Sequence, residues 1–134
     1  MREKASPAQA NAMRLASIVT AANVLIASGF SIAGLIAPTS LLPAKDAPSA
    51  ASFIFAMYAA ARTLPLALAA LLAIYKRSAT ALLALGALAG LIQLVDAAIG
   101  LYQHDLGKTI GPLVIAGLQF YAVFRLENSA RSAP

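Results

Sequence analysis

A chain of 134 residues that is 60% hydrophobic and only 11% charged, with mean hydropathy +0.79, does not have the composition of a soluble domain. A globular surface of this size needs about 25% charged residues. The net charge of +5 does not point to nucleic acid either, because the basic residues sit at the ends of apolar runs rather than in a patch with interleaved aromatics.

There are no cysteines, which excludes disulfides, thiolate metal sites and thiol catalysis. Four apolar runs each approach the ~20 residues needed to cross about 30 Å of hydrocarbon. A β-barrel would show short alternating segments instead. The expected fold class is all-α: one four-helix transmembrane bundle, up-down-up-down.

Residues 1–13 are polar, with Arg2 and Lys4, and read as a mobile tail or a short interfacial helix. The first helix is expected over about 14–37, stopped by Pro38. It is too long for the apolar core of a signal peptide and is read as a membrane span. Ser17, Thr20, Asn23, Ala27, Ser31 and Gly34 share one helical stripe. A small and polar stripe of this kind faces other helices rather than lipid.

Residues 38–49 form a proline-punctuated loop in which Leu41-Leu42 can dip back toward the interface. The second helix is expected over about 51–75, and Lys76-Arg77-Ser78 is too short a turn for anything but antiparallel neighbours. The third helix covers about 79–102. After a polar loop from Gln103 to Lys108, the fourth covers about 109–126, with Thr109 as N-cap and Pro112 in the first turn. Residues 127–134 read as a polar, disordered tail.

Orientation follows from lysine and arginine. Arg2, Lys4, Arg14, Lys76, Arg77, Arg125 and Arg131 fall on one side, and only Lys45 and Lys108 on the other. The expectation is a multi-pass protein of the cytoplasmic membrane with both termini inside. Tyr75, Tyr102 and Phe124 sit near helix ends, where an interfacial belt belongs.

Two charges interrupt the apolar runs, Arg62 in the second helix and Asp96 in the third. A charge at the bilayer centre costs roughly 2.5–3.5 kcal/mol on insertion scales, so such residues pair or face a wet cavity. Arg62 lies roughly 16 Å from the outer end and Asp96 roughly 10 Å, at about 1.5 Å per residue. Side chains lean toward the N-terminus of their own helix, which closes the gap and predicts a pair in the outer half. Tyr58 precedes Arg62 by one turn and Gln93 precedes Asp96 by nearly one. Asn23 and Gln119 add amides near mid-membrane. Pro65 frees the carbonyl of Ala61 beside the arginine.

These residues support two readings. In one, Arg62, Asp96, Tyr58, Gln93, Asn23 and Gln119 line a site that binds or moves a small polar or anionic-headed ligand, with Arg62 on an anionic or carbonyl group. In the other, Arg62–Asp96 is a packing ion pair in a structural or accessory subunit of a larger membrane complex.

Gly86 and Gly90 form a GxxxG pattern, read as a homo-oligomer face or as close packing within the bundle. His104 is a lone loop histidine with no second histidine to complete a metal site. No nucleophile–base pair, phosphate loop or paired carboxylates are present, so neither an enzyme nor a cofactor is expected.

At the second and third helices the chain resembles the DoxX-like group of small four-helix bacterial membrane proteins. The likeness rests on the first helix ending at Pro38, on AAARTLPLALAALLAIYKR around Arg62, and on LVDAAIG around Asp96. It implies a four-helix bundle in the cytoplasmic membrane and no defined activity.

Overall fold

The computed structural model describes residues 6–42 and 46–132. Arg2 and Lys4, and Lys45 of the first loop, lie outside the described residues. Among the described residues the structure is all-helical: α1 (Pro7–Ile36), a short 3-10 turn at Pro38–Ser40, α2 (Ala50–Tyr75), α3 (Ala79–Tyr102) and α4 (Leu106–Arg131). All four long helices are long and apolar enough to cross a membrane.

Serine or aspartate starts every helix. The Ser6 hydroxyl accepts from the Gln9 amide, with Pro7 at the first helical position. Ser49 and Ser52 form a reciprocal capping box. Ser78 and Asp105 cap α3 and α4. The Ser6–Pro7 signal carries α1 back through residues expected to be a tail. At the other end, α4 continues to Arg131, where Arg131 pairs with Glu127 across one turn. Residues 7–13 and 127–131 are therefore helical.

The start of α4 also differs from expectation. The Asp105 carboxylate accepts from the Lys108 amide and so caps the helix, while the Thr109 hydroxyl donates back to the Asp105 carbonyl. A carboxylate is the stronger cap at a positive helix end. Pro112 therefore falls inside α4, not in its first turn. Its missing N–H leaves the Lys108 carbonyl without its helical donor.

The two tight connections are the same device. After α2, Arg77 takes the left-handed conformation (φ 51°), and Ser78 and Arg77 amides donate back to the carbonyls of Ala73 and Ile74. After α3, His104 does the same (φ 54°), with Asp105 and His104 donating to Gly100 and Leu101. Each is a Schellman closure, and the next residue is already the cap of the following helix.

Small residues fill the interior. One cluster joins Ala12, Ala16, Leu82, Ala122 and Leu126, and another joins Val24, Ala67, Ala70 and Ala89. Apart from Leu82 and Leu126, most large side chains point outward: Phe55 is 72% exposed and Leu68 69%. Leucine and phenylalanine outside with alanine and glycine inside is the inverse of a water-soluble core, and it suits a lipid solvent. Tyr75 and Tyr102 stand exposed at helix ends.

Packing is uneven around the bundle. α3 lies closely on α4, and α2 lies chiefly on α1, while α2 and α3 touch sparingly. The α3–α4 seam is built on glycine. A methyl group at Gly86 would meet Gln119 Nε2 at 2.8 Å, and one at Gly90 would meet the Phe120 ring at 3.0 Å. At Gly100 it would land on the Lys108 carbonyl. Gly86 and Gly90, which the sequence left open as an oligomer face, are thus taken up by contacts within one chain.

Candidate functional site

The most polar part of the interior is a chain of side-chain amides. Gln93 Nε2 of α3 donates to Asn23 Oδ1 of α1 at 2.7 Å. Asn23 Nδ2 donates to Gln119 Oε1 of α4 at 3.1 Å, and Gln119 Nε2 donates to Thr20 Oγ1 at 2.8 Å. All four residues are buried. Three helices are tied together by bonds that run in one direction, and each is strengthened by the low dielectric around it.

The chain of bonds begins in a cavity. A space of ≈ 590 Å³ is lined by all four helices and lies between α2 and the C-terminal half of α3. Ala59 and Thr63 stand on its α2 wall, and Ile92, Gln93, Asp96 and Ile99 on its α3 wall. Asn23 also reaches it, and Lys108 and Leu41 lie at its loop end. The lining is mainly apolar. Among the described residues the Gln93 carbonyl oxygen accepts no hydrogen bond, so the amide chain presents a free acceptor where it meets this space.

The loop end is roofed. Leu41 folds back against Gly34, close enough that a methyl group on that glycine would meet its Cδ1 at 3.3 Å. Lys108 Nζ donates to the Leu41 carbonyl at 3.1 Å and to Gln103 Oε1 at 3.4 Å, and lies 3.4 Å from an Asp105 carboxylate oxygen. The Lys108 amide hydrogen bond, with the ammonium beside it, holds the Asp105 carboxyl below the usual carboxylate range.

Of the residues singled out in the sequence, Asn23, Gln93 and Gln119 come together, and Asp96 joins Asn23 and Gln93 at the cavity. Arg62 and Tyr58 do not. Both are exposed, Tyr58 by 60%, and neither lines the cavity. The expected Arg62–Asp96 ion pair is not formed: among the described residues the ion pairs are Lys108–Asp105 and Arg131–Glu127. Pairing needs a matching direction around the helix as well as a matching depth. Ala60, Ala67, Ala70 and Ala73 turn inward from α2, and Arg62 stands two residues from Ala60, on the far side of the helix.

Thr20 closes the amide chain although only its place in the polar stripe of α1 marked it in the sequence. Its spacing of three from Asn23 was the available signal. Lys108 was counted for topology alone; no pattern in the sequence showed it reaching the Leu41 carbonyl 67 positions away.

No family model matches the chain, and no curated protein or solved structure matches it either.

Proposed function

We propose that this is a multi-pass protein of the cytoplasmic membrane, up-down-up-down with both termini inside, that holds a small, mostly apolar molecule in the cavity between α2 and α3. In this reading it stands with the DoxX-like four-helix membrane proteins. The observation that carries it is a free acceptor, the Gln93 side-chain carbonyl, and a carboxylate, Asp96, at a mainly apolar cavity. Apolar walls with a few placed polar groups are the usual make-up of a small-molecule site. An acceptor and a carboxylate call for a donor, so the ligand carries a hydroxyl or a protonated amine. An anionic head is disfavoured, because Asp96 stands at the cavity, Arg62 lies outside it, and the Lys108 ammonium at its end is already engaged by Asp105, Gln103 and the Leu41 carbonyl.

The test is thermal stability of the purified protein in detergent against apolar alcohols, amines, quinols and acidic analogues, with the cavity-filling Ala59→Leu alongside. A ligand at about 100 times its Kd adds about 2.7 kcal/mol of stability. Stabilisation of the parent by a donor-headed compound, absent in Ala59→Leu, supports the reading. Equal stabilisation of both proteins, or of neither, defeats it.

A second reading is an accessory subunit of a membrane complex. It is favoured by Arg62, which is exposed near the middle of α2 and in no ion pair among the described residues. A neighbouring chain with an acidic side chain at that depth would relieve the cost of the charge. Arg62→Leu should then shrink the assembly measured in mild detergent. If Arg62 faces lipid alone, the assembly keeps its mass and the protein becomes more stable.

A further inference from the structure

The end of the molecule opposite the roofed cavity carries a second groove. Its volume is ≈ 670 Å³, and it lies between α1, the α2–α3 turn and the last turns of α4. Arg14 of α1 and Arg77 of the turn both line it, with Tyr75 and Ser129 beside them and Ile18 and Ile74 among its apolar walls. Among the described residues no acidic residue lines it. Neither guanidinium group makes a hydrogen bond or ion pair among the described residues, and Glu127, the acid of α4, is engaged by Arg131.

We propose that this groove binds one anionic phospholipid, the phosphate held by Arg14 and Arg77 and the start of the acyl chains lying along Ile18 and Ile74. Two guanidinium groups from different elements suit a phosphate, since each offers a planar fork of donors. Basic pockets between spans on the cytoplasmic side are where anionic head groups collect. The apolar wall distinguishes a lipid from a free phosphate ion, which would leave Ile18 and Ile74 uncovered. The inference rests on the membrane-spanning reading of the chain, and not on any ligand in the α2–α3 cavity.

The backbone at Arg77 gives a second reason. Its φ of 51° is a left-handed conformation that glycine adopts freely and arginine does not. For ending α2, glycine would serve better. A strained residue kept where an unstrained one would do points to a use for its side chain. The site therefore sets stability against binding at a single position.

The experiment uses the full chain in phosphatidylcholine nanodiscs, titrated with phosphatidylglycerol and separately with inorganic phosphate, with melting temperature as the readout. The parent should gain stability saturably from phosphatidylglycerol and nothing from phosphate. Arg77→Gly should melt higher than the parent without anionic lipid, yet need at least tenfold more phosphatidylglycerol for half its gain. Arg14→Gln should keep the parent's melting temperature without anionic lipid and show the same tenfold loss. Ala59→Leu should respond like the parent, which separates this site from the cavity. The proposal is overturned if both arginine variants respond like the parent, if the parent shows no response, or if inorganic phosphate reproduces it.

Discussion

α3 has two neighbours in sequence, and it treats them differently. It is joined to α2 and to α4 by the same closure, a left-handed arginine or histidine followed at once by a helix cap. Yet it lies closely along α4 and stands away from α2. The turn therefore does not set how close two helices come. The side chains between them do. Toward α4, α3 offers Gly86, Gly90 and Gly100; toward α2, it offers Ile92, Asp96 and Ile99. Without a hydrophobic drive between helices in lipid, close approach requires small residues; α3 turns its glycines toward α4, and toward α2 it places Ala89 against Ala67 and Ala70.

The contrast can be broken most severely at Gly100. A methyl group there collides with backbone, which cannot swing aside as a side chain can. Gly100→Ala should cost about 3 kcal/mol or stop the seam from closing, and it would be read from unfolding in mild detergent. Ala59→Leu, facing α3 from the opposite side, should change stability by less than about 0.5 kcal/mol. If the two substitutions cost the same, the distinction between a closed and an open side fails.

Asn23→Leu should come next. It removes two buried hydrogen bonds and leaves the Gln93 amide and the Gln119 carbonyl without partners. The expected loss is about 2 kcal/mol. Gln93→Leu should cost less, because Gln93 holds only one of those bonds and its removal takes the free acceptor with it.

The turns themselves offer smaller effects of opposite sign. His104→Gly relieves a left-handed non-glycine residue and should stabilise by about 0.5–1 kcal/mol. A loss instead would mean that the histidine side chain contributes more than its backbone costs. The smallest effect concerns Asp105. Its carboxyl is held below the ordinary range in the folded chain, so its contribution is present at neutral pH. That contribution should begin to fade below about pH 4 and be lost as pH falls through the lowered value. Hydrogen exchange at the Lys108 amide reports it, and Asp105→Asn should keep the cap and flatten the pH dependence.

Much of this was legible in the sequence, for physical reasons. α2 and α3 are bounded within a residue of expectation because Ser49, Ser78 and the basic turn are strong local signals. The amides were legible because a polar group in an apolar run must find a partner. Helix ends were read less well where a competing cap existed: Asp105 over Thr109 at α4, and Ser6–Pro7 ahead of α1. The partnership of Arg62 with Asp96 was not legible, because depth can be counted along a helix, whereas direction depends on which alanines the fold turns inward. The cavity was not legible either, being a property of the space left between helices.

The amide chain also has a place in time. Its bonds to α4 join residues 96 and 99 positions apart, farther than any other side-chain bond described. A chain is made from its N-terminus, so Asn23 and Thr20 are already in place, with their polar groups unanswered, long before Gln119 is synthesised. Until the last helix arrives, α1 carries an open demand in its middle that lipid tails cannot meet. The two side chains of α1 that help lock the finished bundle thus mark an incomplete one, and a chain truncated before α4 would display that defect to whatever surveys the membrane.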